Sequence, residues 1–154
     1  MRGEKVRAYL DKNHIPYQTI THPTTFSAQY TAHSVHMPGK EIAKPIIIKI
    51  NGKPLMVVVT ANQKVNLTFL KRIFSTVDVE LAKETEFANM FPDCEPGAIP
   101  PFGTLYGMDE LISEDLTEDE EICFNAGNHT ELIRMKYSDF AKLIHPKIVN
   151  FNIW

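Results

Sequence analysis

Lys44 stands directly before the aliphatic run Pro45-Ile46-Ile47-Ile48-Lys49-Ile50. Two-residue alternation along a strand puts Lys44, Ile46, Ile48 and Ile50 on one face and leaves Lys49 on the other, where solvent is expected. Lys44 therefore heads an apolar face. Its stem can pack while its ammonium reaches a carbonyl or phosphate oxygen at a pocket mouth, although a lysine that merely snorkels from a strand end gives the same pattern. A second candidate is Gly97-Ala98-Ile99-Pro100-Pro101-Phe102-Gly103. Two prolines stiffen the backbone and the flanking glycines widen its choice of conformation. A stiff loop with exposed amides can hold an anion or a developing oxyanion, or it can simply connect two elements. The third is Phe124-Asn125-Ala126-Gly127-Asn128-His129. Gly127 permits close approach of a ligand, Asn125 and His129 offer hydrogen bonds, and His129 could act as a general base; a hairpin turn without a ligand reads the same way. His33 and His36, three residues apart, could share a helical face as metal ligands, but no third ligand stands near them and no metal is expected.

Several common catalytic signatures are missing. The sequence has no GxxxxGK[ST], GxGxxG, HExxH or GxSxG motif, which argues against an NTPase, a dinucleotide enzyme, a zincin and an α/β-hydrolase. Cys94 and Cys123 are too few for a disulfide scaffold or a four-thiolate zinc site, so a reducing cytoplasm is the expected location. The amino terminus is charged and lacks an apolar segment of signal-peptide type, and the apolar runs, such as Leu55 to Val59, are too short to span a bilayer. No membrane association and no cofactor are expected.

With 154 residues, 44% hydrophobic and 23% charged, the chain has the composition of one globular domain with a sizeable core. Its net charge of −3 is unevenly divided. Residues 1–72 hold eleven Lys/Arg against three Asp/Glu, a balance of +8, and residues 73–154 hold five against sixteen, a balance of −11. Eight of those acids fall between Asp109 and Glu121 with no base among them. Such asymmetry suits a polyanionic partner for the basic half, or else a solvated lysine face and a solvated acidic loop.

The elements that must position these residues follow from pattern. Val6, Tyr9 and Leu10 predict an amphipathic helix over 2–13, and Tyr17 to Thr21 a short strand. Ser27 is placed to cap a short helix reaching about Val35. Pro45–Ile50, Asn51-Gly52 and Lys53–Thr60 predict a hairpin, because Asn-Gly supplies the two positive-φ residues of a type I′ turn. Asn66 is placed to cap a helix carrying Leu67, Leu70, Ile73 and Phe74; Val77 to Leu81 reads as a strand, and Thr85 as the cap of a helix through Phe91. Residues 92–103 are too rich in proline and glycine to be regular. A second hairpin joins Glu121–Asn125 to Thr130–Met135, and Ser138 is placed to cap a last helix to about Ile144. The sum is an α+β fold in one domain, residues 1–154, with a curled mixed sheet and helices outside.

Glu41-Ile42-Ala43-Lys44 leading into the aliphatic strand, the GAIPPFG loop and FNAGNHTELIRM from Phe124 to Met135 occur in one order and spacing. Together they resemble the YbaK / prolyl-tRNA synthetase-associated domain family, over about His22 to Phe140. The resemblance implies a barrel-like mixed sheet surrounded by helices. It also implies trans- or cis-editing: hydrolysis of the ester that joins a wrong amino acid to tRNA. By the same resemblance Lys44 is the residue required for deacylation, and Gly97 to Pro101 match a loop that helps hold the substrate. With Phe102, Asn125, Gly127 and His129 they complete the expected binding set: Gly97, Ala98, Ile99, Pro100, Pro101, Phe102, Asn125, Gly127 and His129. Pro45 departs from the pattern, in which a small hydroxyl residue is commoner. The expected function is a free-standing deacylase acting on mischarged aminoacyl-tRNA, a monomer by default, with an aminoacyl-tRNA synthetase as a candidate partner. The alternative is a module that binds aminoacyl-tRNA or a synthetase without catalysis.

Overall fold

A computed structural model describes residues 4–24, 32 and 38–151. The chain opens with helix α1 (Glu4–Lys12), whose Val6 and Leu10 are fully buried, and turns through His14 and Ile15 into strand β1 (Gln18–Thr21). The expected helix after Ser27, with His33 and His36, lies outside the described residues. Strands β2 (Ala43–Ile50) and β3 (Lys53–Thr60) form the expected hairpin, paired from Ala43↔Thr60 to Ile50↔Lys53. Asn51 and Gly52 sit at φ of 51° and 81°, as the type I′ turn demands.

The hairpin is apolar on both faces because both faces are covered. Ala43, Ile47, Met56 and Val58 join the main core with Phe91, Phe102, Phe124 and Phe140. On the other face Ile48, Leu55, Val57 and Val59 pack with Leu70 of helix α2 (Leu67–Ile73), Leu111 and Phe151. Asn66 caps α2 as expected, its side-chain oxygen accepting from the Phe69 N–H at 3.0 Å.

Strand β4 (Val79–Leu81) pairs antiparallel with β2 over Ile48–Ile50, and the short helix α3 (Glu84–Phe87) follows. Thr85 lies inside α3 rather than at its cap: Lys83 holds that position, its N–H donating to the Glu86 carboxylate at 2.8 Å. Lys49 is likewise not simply solvated. It pairs with Glu80 at 3.2 Å and with Glu86, tying β2 to β4 and α3.

The acidic segment is the main departure from expectation. Residues 110–113 form strand β5 (Glu110–Ser113), which runs parallel to β3, and a 3₁₀ turn follows over Glu114–Glu118. Glu110 and Asp119 are buried, and burial pushes the Asp119 carboxyl up to about 6. Five of its eight acids remain exposed, yet the segment is also a structural wall, because the successive residues Leu111 and Ile112 of β5 enter the two cores.

Strands β6 (Glu121–Asn125) and β7 (Glu131–Lys136) make the second hairpin, helix α4 (Tyr137–Ile144) follows with Lys136 rather than Ser138 at its cap, and β8 (Lys147–Val149) closes the described chain. Two sheets result. One is antiparallel, in the order β1-β7-β6, and the other is mixed, in the order β4-β2-β3-β5-β8. The α+β class stands. The single barrel-like sheet does not: two sheets meet through one parallel bridge, Ile42↔Cys123, and the described strands do not close into a ring.

Candidate active site

That bridge decides where a site can form. Ile47 accepts at its carbonyl from the Ala82 N–H at 3.0 Å, so the odd-numbered residues of β2 turn their backbone groups toward β4 and away from β3. At the start of this outer edge the Ile42↔Cys123 bridge brings β6 alongside; at its end β4 pairs from Ile48 onward. Between them β6 and β4 diverge, and the edge at Pro45 is left open. Proline suits this position, since it has no N–H to leave unpaired. β2 accordingly runs unbroken from Ala43 to Ile50 through Pro45.

A cavity of about 270 Å³ occupies the split. Pro45, Ile46 and Ile47 form one wall, Leu81, Ala82 and Phe87 another, and Gly97 and Ile99 of the proline-rich loop the third. The loop is held there by the turn between β6 and β7. Glu95 N–H donates to Gly127 O at 2.8 Å, Gly127 N–H donates to Ala98 O at 3.0 Å, and His129 Nε2 donates to Pro96 O at 2.7 Å. Two motifs 30 residues apart in sequence thus form one unit. Gly97 takes φ of 81° and lies against His129, where a Cβ would come within 3.4 Å of the ring.

Among the described residues, the Ala98 N–H is taken by Glu95 O, whereas the N–H groups of Gly97 and Ile99 on either side have no acceptor. Both residues line the cavity, so the loop offers two donors where an oxyanion or carboxylate could sit. Pro100 and Pro101 are buried beneath the loop. Phe102 is fully buried, its ring edge-on to Tyr9, Phe124 and Phe140, so its side chain anchors the loop from the core. His129 is buried and acts as a strut, since its Nε2 is committed as a donor to the loop. Asn125 is half-buried at the end of β6.

Lys44 lies one residue before the cavity wall. It is half-buried, its Nζ donates to Gln63 O at 2.9 Å, and burial together with the nearby Lys64 lowers its pKa. Gln63 is a partner the sequence did not suggest. Its Oε1 accepts from Thr60 N–H and its Nε2 donates to Asp115, each at 3.0 Å, so the segment after β3 is fixed on both sides of the lysine.

Asn128, part of the third sequence candidate, holds the turn itself. Its Oδ1 accepts from Thr130 N–H, Thr130 Oγ1 and Glu131 N–H at 2.8–3.0 Å, and its Nδ2 donates to Glu131 at 2.9 Å. This side chain shapes the turn that holds Gly127. Asn128→Ala is expected to cost about 2 kcal/mol and to lower the thermal midpoint by about 4–8 °C, measured by calorimetry; an unchanged midpoint would show that the turn holds its shape without it.

The stretch of chain that builds this site lies within the region that resembles known proteins. Residues 22–143 match the sequence profile of the aminoacyl-tRNA editing domain. Over 103 residues, 64% of the chain, it is 32% identical to proline–tRNA ligase of Staphylococcus aureus strain Newman, and it spans 18% of that ligase. Two solved structures share the fold. One, of a candidate trans-editing enzyme for prolyl tRNA synthetase, gives a TM-score of 0.82 at 18% identity over 96% of this chain and 94% of that one. The other, of a hypothetical protein, gives 0.84 at 17% identity over 96% and 98%. With the profile spanning the cavity wall at β2, the proline-rich loop and the turn that holds it, the chain belongs to the aminoacyl-tRNA editing domain family.

Proposed function

We propose that the chain is an aminoacyl-tRNA deacylase that hydrolyses the ester of a mischarged tRNA in trans, in the cytoplasm. The observation that carries this reading is the cavity in the sheet split, with Lys44 beside one wall and the Gly97 and Ile99 amides at another. An aminoacyl ester is already activated, so the site has to orient it, admit water and stabilise charge. Water adds to the ester carbonyl carbon, the carbonyl oxygen takes up the negative charge, and the bond to the ribose oxygen breaks. The ribose hydroxyl leaves with a proton, and free amino acid and tRNA are the products. Lys44 orients the carbonyl or the terminal phosphate through its ammonium; the two loop amides receive the oxyanion or the amino acid. At about 270 Å³ the cavity is smaller than the roughly 300–1,000 Å³ of sites for drug-sized ligands. Its mainly apolar wall suits the aminoacyl end alone, with a small uncharged side chain.

The test is a panel of mischarged tRNAs incubated with the protein, with release of free amino acid as the readout. Release from at least one small uncharged aminoacyl-tRNA, above the spontaneous rate, is expected. Binding of such tRNAs with no release from any of them would overturn the deacylase and leave a binding module, one that could serve a synthetase.

A further inference from the structure

The outer face of α2 carries Thr68, Lys71 and Arg72 at helical spacing, opposite the face that buries Leu70, and Ser75 follows two residues past the helix end. With Thr76 and Val77 these residues line an open groove of about 660 Å³. Lys49 is paired with Glu80 and Glu86, and Arg7 with Glu131. Lys71 and Arg72 form no ion pair among the described residues. Their place in the last turn of α2 suits the helix dipole, but that does not account for three hydroxyl side chains around them or for Val77, 87% exposed at the groove's rim. The groove floor is fixed: Thr76 Oγ1 donates to Asn51 Oδ1 at 2.9 Å and accepts from Asp78 N–H at 3.2 Å, joining the turn to the tip of the β2–β3 hairpin. Two unmatched cations with the hydroxyls of Thr68 and Ser75 beside them are a donor set that phosphate oxygens accept from, while Thr76 spends its proton on Asn51.

Helix α2 packs on the hairpin face that carries Ile48, not on the Ile47 face where Ala82, Phe87 and Ile99 line the cavity, but its first turn follows the segment that holds Lys44 at the open edge. Lys64 is close enough to Lys44 to act on its charge, and α2 begins three residues later. The seven residues of α2 span roughly 10 Å, which a nucleic-acid strand rising about 3.4 Å per phosphate covers in about three nucleotides. We propose that the groove formed by Thr68, Lys71, Arg72, Ser75 and Thr76 binds the phosphate backbone of the tRNA acceptor arm while the aminoacyl end enters the cavity beside Pro45. This rests on the deacylase reading, and it gives the basic half of the chain a specific contact surface.

The experiment measures binding of uncharged tRNA across a salt series, by fluorescence anisotropy, for wild type and for the double variant Lys71→Gln/Arg72→Gln. Each lost phosphate contact removes about one from the slope of log affinity against log salt. The double variant should therefore show a slope shallower by about two and an affinity about tenfold weaker at moderate salt. Lys142→Gln/Lys147→Gln, on the opposite charge half, serves as control and should leave both unchanged. Both pairs are surface positions, and a thermal melt confirms that each variant is folded. Amino-acid release from a mischarged tRNA at saturating protein is measured in parallel. Release that persists with an unchanged slope in the Lys71/Arg72 variant overturns the groove and spares the deacylase. A reduced slope with no release from wild type on any substrate overturns the deacylase and retains the groove as an RNA-binding surface. Equal losses in both double variants overturn the groove, since they would report net charge alone.

Discussion

Lys44→Ala is expected to lower ester release from the best mischarged tRNA by about 10²–10³-fold, a loss comparable to that from removing one preorganised electrostatic contact to the reacting group. Its fold should survive. The substitution removes the bond to Gln63 O at 2.9 Å and part of a half-buried stem, a loss of about 1 kcal/mol, or about 2–4 °C in thermal midpoint for a chain of this size. Gln63 keeps its ties to Thr60 and Asp115, so the segment after β3 stays in place. Lys44→Arg is not expected to restore activity, because a planar fork cannot occupy the position of a compact ammonium. Lys49→Ala is the control. It breaks the pairs to Glu80 and Glu86 but removes no residue that lines the cavity and no group beside the ester, so release should stay near the wild-type rate. A Lys44→Ala protein that keeps both its midpoint and its activity would place the chemistry elsewhere.

The second large effect concerns pH and Glu110. This carboxyl is buried in β5, its Oε1 accepts from Gly103 N–H at 2.7 Å, and its Oε2 has no partner among the described residues. Burial pushes its pKa up to about 8, and the Gly103 N–H offsets only part of that rise. The folded state therefore holds the proton more tightly than the unfolded chain, where the value is 4.5. For a carboxyl shifted upward, the stabilising contribution is full below pH 4.5, declines as pH rises toward 8, and is gone above it. Glu110 should thus withdraw on the order of 3–5 kcal/mol across that window. Glu110→Gln keeps an acceptor for Gly103 and carries no titrating proton. The difference in unfolding free energy between wild type and variant, from urea melts at pH 5 and pH 8.5, should move by that amount in favour of the variant. A difference that stays constant across the range would falsify the assignment. Gly103 ends the proline-rich loop, so Glu110 also fixes the far end of the cavity's third wall.

Much of this arrangement could be read from residue types, and the exceptions have physical causes. Local signals held where one residue decides the backbone: Asn51-Gly52 set the hairpin, and Asn66 set the start of α2. The ends of α3 and α4 were displaced because Lys83 and Lys136 occupy the caps without side-chain caps of the usual kind, α3 being closed by Glu86 and α4 by Tyr137 N–H donating to Glu120 O. β5 escaped notice because its apolar content is only Leu111 and Ile112 between acids. Its strand character comes from parallel pairing with β3, and no local pattern records a partner that distant. The proline-rich loop and the Asn125–His129 turn could each be singled out, but their docking rests on backbone carbonyls and N–H groups, which every sequence contains. Gln63 and Glu110 were missed for the same reason, since their importance lies in what the fold brings to them.

Pro45 has a further consequence. An open strand edge is a template on which another chain can add a strand, and a cavity that needs such an edge exposes the protein to aggregation. The gap between β6 and β4 along β2 is an edge of this kind. Because Pro45 sits in the gap, an incoming strand finds no N–H there and cannot complete a ladder. The same residue that leaves space for a small ligand thereby refuses a neighbouring backbone, and the site can stay open without inviting self-association.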